Sequence, residues 1–203
     1  MNLAQQLAIF LSLYKFVEGE GAEVPFPGGE AAYTATHSDT NQDILAHFHI
    51  FASVHSDIDK SIHGKSFNVA DGDAVSWATK WGPLCAYFGL KGVGPGPSHG
   101  STGVKWLHEH KDQWQPWIES NGLRSGAIEG TDWRFADFIL SVCLVIFRFQ
   151  PADYVSPISR VHGTFNREYD LSASRAVGFD ERMDTVQGYY TSFDRTRDAN
   201  IIP

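Results

Sequence analysis

Apolar residues at Leu3, Leu7, Phe10, Leu11, Tyr14 and Val17 recur at helical spacing and cover more than one face. Leu3 to Val17 is therefore predicted to be a helix buried on two sides. Asn2 with Gln5 three residues on forms a capping box, and Gly19 supplies a stop. Ala22 to Phe26, set between Gly21 and Pro27-Gly28-Gly29, reads as a short strand. A second helix is expected from Thr40, as its cap, to Val54, with Ile44, Phe48, Phe51 and His55 along one face. The stretch Ser66 to Leu90 organises the rest of the chain: a strand over Phe67 to Ala70, an Asp71-Gly72 turn, and an aromatic helix ended by Gly89. Lys91 to Gly103 is rich in glycine and proline and reads as a loop. A third helix from about Val104 brings Trp106, His110, Trp114 and Trp117 roughly to one side, disturbed by Pro116. The apolar run Phe135 to Phe149 fits a helix or a buried strand equally. In the tail, Leu171 to Ile202, a helix is followed by a Gly178-Phe179 break and an amphipathic helix around Tyr189, Tyr190 and Phe193.

Composition narrows the class. A chain of 203 residues, 42% hydrophobic and 13% aromatic, can bury one sizeable core, so a single domain is expected. A net charge of −8 and a pI near 5.5 argue against nucleic acid and anionic membranes, which attract cationic surfaces. The expected partners are a small apolar molecule and, as an assembly, a homodimer. Cys85 and Cys143 both sit in apolar segments and read as reduced core thiols. The first residues lack a cationic start and a cleavage site, and Gln5, Gln6, Ser12 and Lys15 make them too polar to span a bilayer. A soluble cytoplasmic protein is the expectation.

Four patterns resemble catalytic signatures. His47-x-His49 and His108-x-His110 fall on expected helices, where i and i+2 side chains diverge, so they read as surface or core histidines, not metal ligands. Gly92-Val-Gly94-Pro-Gly96 imitates a dinucleotide loop, but Pro95 and Pro97 interrupt the backbone donors such a loop needs. Tyr87 and Lys91 have the spacing of a tyrosine–lysine catalytic pair, but Gly89 between them ends the helical turn they would have to share. Trp77 and Trp81, one turn apart, read as core packing, with an apolar substrate wall as the alternative. No catalytic centre emerges from these patterns.

The segments NLAQQLAIFLSLY, VEGEGAEVPFPG, SFNVADGDAVSWATKWGPLCAYFGLKGVGP and LSASRAVGF, with Tyr189 and Phe193-Asp194-Arg195, carry a resemblance in the right order over nearly the whole chain. Together they resemble the C-terminal half of the progesterone 5-beta-reductase/iridoid synthase-like branch of extended short-chain dehydrogenases, in its fungal form. The resemblance implies an α/β fold: an incomplete NAD(P)-binding Rossmann-like fold, mostly the helical C-terminal substrate domain with a few short strands. It also implies reduction of a carbonyl or activated C=C of an apolar metabolite with NADP or NAD as cofactor. The family's cofactor loop and catalytic tyrosine and lysine have no counterpart to be matched here, so no catalytic or cofactor-binding residue is assigned and no cofactor binding by this chain alone is expected. On this reading the two-sided first helix is an internal element awaiting a covering half, and the Phe67 to Ala70 strand is the edge of a larger parallel sheet. Residues 143–163 have no family equivalent and read as an insertion or a retained intron.

From placement, the substrate pocket is expected between the first helix and the loop after the Val24 strand, lined by Asn2, Gln6, Phe10, Tyr33 and His37. The alternatives to a reductase portion are a cofactor-free binding or cyclase-like protein of secondary metabolism, or an inactive truncated product.

Overall fold

The computed structural model describes residues 3–56, 62–96, 102–131, 133 and 166–203. Asn2, the Phe135 to Phe149 run and the segment 143–163 lie outside them. Elements are numbered through the described residues, which form a mixed α/β arrangement dominated by helices.

Helix α1 (Leu3–Glu18) is the hub. Its two-sided apolar pattern predicts an uncovered face, yet Gln6 through Leu13 are all buried. Helices α6 (Trp114–Asn121) and α8 (Thr185–Asp198) pack against it. Only near its C-terminus does Phe16 stand 40% exposed. The tail helix, distant in sequence, covers the face assigned on sequence grounds to a separate half.

Strand β1 (Glu23–Phe26) comes next, then the short helix α2 (Glu30–Thr34) and strand β2 (Thr36–His37). Helix α3 (Gln42–Ser56) is capped by Asn41, whose Oδ1 accepts from the Asp43 N–H at 2.8 Å. The expected cap, Thr40, instead donates its hydroxyl to the Val69 carbonyl at 2.9 Å. The predicted face of α3 is the packed one: Ile44 and Phe48 are buried beside Phe179, and Phe51 stacks on His55 at 3.9 Å.

The organising stretch departs from expectation at its start. Phe67 to Ala70 forms no strand. Its polar groups are drawn elsewhere: the Val69 carbonyl to Thr40, the Asn68 side-chain amide to the Asp170 carbonyl at 3.0 Å, and the next N–H, that of Asp71, to the Asp39 carbonyl at 2.9 Å. The Asp71-Gly72 turn is present, with Gly72 at φ 100°, a backbone region that favours glycine. Strand β3 (Val75–Ser76) then pairs antiparallel with β2, and helix α4 (Trp77–Tyr87) begins at Ser76, whose hydroxyl caps the Thr79 N–H at 3.2 Å.

The expected loop after Gly89 opens as strand β4 (Lys91–Pro95), parallel to β1 in the register Glu23 to Lys91, Val24 to Gly92 and Pro25 to Val93. The parallel pair is thus β1–β4, and not one made by the Phe67 segment. Gly92 explains the closeness of α4 to this strand. A Cβ there would meet the Trp81 carbonyl at 2.8 Å and the Cys85 sulfur at 3.0 Å. Trp81 also donates its indole N–H to the Val24 carbonyl at 3.0 Å, tying α4 to β1.

The predicted third helix is two helices, α5 (Thr102–Glu109) and α6, joined by a single 3-10 turn at Lys111–Gln113. The break falls before Pro116, which then sits in the first turn of α6 where its missing N–H has no helical partner to lose. Helix α7 (Ser172–Ala176), the Gly178 break and α8 match the predicted tail. The main core runs from α1 through Phe26, Trp77 and Trp81 to Trp117 and Phe193, with a smaller cluster under α3. Among the described residues, no helix is long and apolar enough to cross a membrane.

Candidate functional site

A cavity of about 390 Å³ opens where the N-terminal ends of α1 and α3 meet the first turns of α8. Leu3, Ala4, Leu45 and Tyr189 give it apolar and aromatic lining, and Asp39, Asn41, Asp71 and Thr185 give it polar lining. The polar residues are held mainly by hydrogen bonds between segments distant in the chain. Asn41 caps α3 with its Oδ1 while its Nδ2 donates to the Gly188 carbonyl at 3.1 Å. A side chain at Gly188 would crowd that amide at 3.1 Å, so glycine there lets α8 approach. Asp71, in the turn, accepts the Asn41 backbone N–H at 2.6 Å and the Thr185 hydroxyl at 3.3 Å. That hydroxyl also lies 2.6 Å from Asp73.

Behind Asp39 stands a buried cation. Lys80 is 0% exposed, forms an ion pair with Asp39, and places its Nζ 2.8 Å from His37 Nε2 and 4.0 Å from the centre of the Trp77 ring. An ammonium has only donors, so His37 Nε2 accepts and the ring is neutral, with Nδ1–H directed at the Ala35 carbonyl at 3.4 Å. Burial, reinforced by the Lys80 charge, holds the His37 pKa below its ordinary value. Burial also lowers Lys80, against the pull of Asp39 in the other direction. Asp71 is raised to about 6, mainly by burial, although its hydrogen bond from Asn41 opposes the shift. The cavity can therefore receive a molecule with an apolar body and a polar end, meeting that end with a carboxyl group able to hold or release a proton near neutrality.

The five residues expected to line a pocket separate in the structure. His37 joins the cavity indirectly, through Lys80 and Asp39. Gln6 and Phe10 are buried within α1, Phe10 edge-on to Trp106 at 5.8 Å. Tyr33 packs on Phe26 at 5.1 Å. None of these three is among the cavity's lining residues, and Asn2 lies outside the described ones. Sequence reasoning missed Asp39, Asp71, Lys80 and Thr185. One signal was readable: Trp77, Lys80, Trp81 and Leu84 share a helical stripe, so a lysine stood on the buried face of an aromatic helix.

The catalytic look-alikes fall into other roles. Tyr87 ends α4 while Lys91 starts β4, and the Tyr87 hydroxyl pairs with Asp194 and Arg197. His47 forms an exposed pair with Glu181 at 2.7 Å, and no group of three or more metal-ligating side chains converges among the described residues. Gly92 and Gly94 lie inside β4, and Gly92 is needed for packing against α4.

A family model described as a PRISE-like Rossmann-fold domain matches residues 1–203. The short chain dehydrogenase sirQ of Leptosphaeria maculans is 26% identical over 203 residues, covering 100% of this chain and 45% of the relative. The short chain dehydrogenase sirS of the same fungus is 28% identical, covering 100% and 47% respectively. The (S)-8-oxocitronellyl enol synthase ISY2 of Nepeta cataria is 30% identical over 144 residues, covering 69% of this chain and 34% of the relative. The chain spans about half the length of the fungal relatives it matches.

Proposed function

The chain belongs to the PRISE-like family of Rossmann-fold domains, and we propose that it forms the substrate-side portion of an NAD(P)-dependent reductase. Its fold is an incomplete Rossmann-like α/β fold rich in helix, and its relatives are short-chain dehydrogenases and iridoid synthase-like enzymes. In the proposed reaction a carbonyl or an activated C=C of an apolar metabolite is reduced. A bound NAD(P)H would supply the hydride for that reduction.

The mixed apolar and polar lining of the cavity beside α1 carries this reading. Leu45 and Tyr189 receive the apolar body, while Asp71 and Thr185 meet the polar end. His37 acts one step removed, by holding Lys80 and through it Asp39. Gln6, Phe10 and Tyr33 support that site from within the core, and Asn2 precedes Leu3, one of the lining residues, in the chain.

Titration of NADPH with the 203-residue chain, followed by nucleotide fluorescence, tests the division of labour. No saturation is expected, and saturable micromolar binding would overturn it. The monoterpenoid enal citral is expected to bind the same preparation, and Leu45→Asp to weaken that binding about tenfold, the loss of roughly one buried aliphatic side chain. Equal binding by the variant removes the cavity from the site.

A cofactor-free binding or cyclase-like protein is the second reading, favoured by the raised carboxyl of Asp71 facing the cavity. Conversion of citral to a cyclic product without NADPH would decide for it.

A further inference from the structure

We infer that the Tyr189 hydroxyl is the specificity-determining donor of the cavity beside α1, hydrogen-bonding the carbonyl oxygen of a neutral, largely apolar ligand. The inference rests on reading that cavity as the substrate site, and it assigns the ring to the apolar body and the hydroxyl to the oxygen. Four hydroxyls line the cavity, from Thr40, Thr185, Tyr189 and Ser192. Three are committed within the protein: Thr40 donates to the Val69 carbonyl at 2.9 Å, Ser192 to the Gly188 carbonyl at 3.0 Å and Thr185 to Asp73 at 2.6 Å. The Tyr189 hydroxyl makes no hydrogen bond to any described residue.

A free hydroxyl is out of keeping with this residue's surroundings. Tyr189 is 8% exposed, the one buried tyrosine among the described residues. Buried tyrosine hydroxyls usually find a partner. The less buried Tyr14, Tyr87 and Tyr190 all do, through the Glu23 carbonyl, Asp194 and the Pro83 carbonyl. The Trp114 and Trp117 indole N–H groups also lack partners, but they are sealed from solvent; the Tyr189 oxygen is not sealed, and its residue borders the cavity. The charges of Asp39 and Asp71, both lining residues, reach the phenol. Burial first, and those charges second, hold its pKa well above the ordinary value, so the oxygen keeps its proton. The same carboxylates disfavour an anionic ligand and leave a neutral acceptor as the fitting partner. A ligand that covers the hydroxyl without accepting from it strips that group of water, which is how a hydrogen-bonding site rejects an analogue lacking the acceptor.

The test titrates the 203-residue chain, by fluorine NMR, with 4-fluoroacetophenone and with 4-fluoro-α-methylstyrene, which carries a methylene in place of the ketone oxygen. Saturable ketone binding, displaced by citral, is expected. Tyr189→Phe is expected to weaken the ketone about fivefold, the worth of one neutral hydrogen bond, and to leave the alkene unchanged. Its thermal midpoint is expected at or above that of the parent, because the hydroxyl removed has no partner among the described residues. Ketone affinity equal in parent and variant, an equal loss for the alkene, or a fall in thermal midpoint would each overturn the inference. The infrared carbonyl stretch of the ketone bound to the unmodified chain needs no variant. It is expected below its value in hexane, and a hexane-like frequency overturns the inference. Leu45→Asp is expected to weaken both probes. Binding of both probes without any effect of Tyr189→Phe therefore refutes this inference alone, whereas binding of neither refutes the substrate cavity with it.

Discussion

Asp71 shows how a single buried carboxyl writes itself into the behaviour of the protein. Its folded pKa is about 6, raised chiefly by burial, whereas in an unfolded chain it titrates near about 4. The folded form therefore binds the proton more tightly, and the stabilisation this gives is complete below about pH 4 and lost as pH rises through about 6. His37 runs the other way. Its pKa is lowered in the folded state, so its contribution is lost as pH falls below the ordinary histidine value of about 6.5. Comparing the parent with Asp71→Asn cancels the histidine contribution. Thermal midpoints measured from about pH 7.5 down to about pH 5 are expected to shift in favour of the parent as pH falls. Parallel pH profiles for the two proteins would refute the assignment. At this scale the sequence was partly legible: Lys80 on an aromatic stripe was visible, but nothing local says that Asp39 and His37 converge on it.

At the scale of elements, periodicity located the helices well and the strands less well. Helices are closed by local hydrogen bonds and a stripe of apolar residues, both of which are written in contiguous sequence. A strand needs a partner. Phe67 to Ala70 has strand-like composition but its neighbours bind Thr40, Asp39 and Asp170, whereas the glycine-rich Lys91 to Pro95 becomes a strand because β1 lies beside it. Gly92 and Gly94 separate packing from mere flexibility. Gly92→Ala would force its Cβ to within 2.8 Å of the Trp81 carbonyl and is expected to cost roughly 1–3 kcal/mol. Gly94→Ala meets only Tyr33 at 3.7 Å and is expected to be close to neutral. Urea unfolding of the two variants checks this, and equal stabilities would show that α4 does not press on β4 as described.

Across the whole molecule, two apolar clusters are joined by polar bonds. The larger cluster contains α1, α4 and α8, and the smaller one lies under α3 with Phe179. Asn41 ties α3 to α8, Asp71 ties the turn to both, and Lys80 links α4 to the segment carrying His37 and Asp39. Lys80→Ala leaves the buried His37 Nε2 acceptor and the part-exposed Asp39 carboxylate without their donor, so it is expected to destabilise by roughly 1–3 kcal/mol, read as a lower urea midpoint. A loss below about 1 kcal/mol, the scale of an exposed pair, would mean that Lys80 does not link α4 to the His37 and Asp39 segment as described.

By itself the sequence determined α1, α3, α4 and the two tail helices, the turn at Gly72, the break at Gly178, the acidic character and the family resemblance, because each depends on neighbouring residues or on an ordered series of motifs. Only the tertiary structure decided that α1 is enclosed by α6 and α8, that β1 pairs with β4, and that Asp39, Asp71 and Lys80 share one end of the molecule. Those outcomes rest on contacts between residues far apart in the chain. Burial and charge pairing choose such contacts, and no local pattern records them.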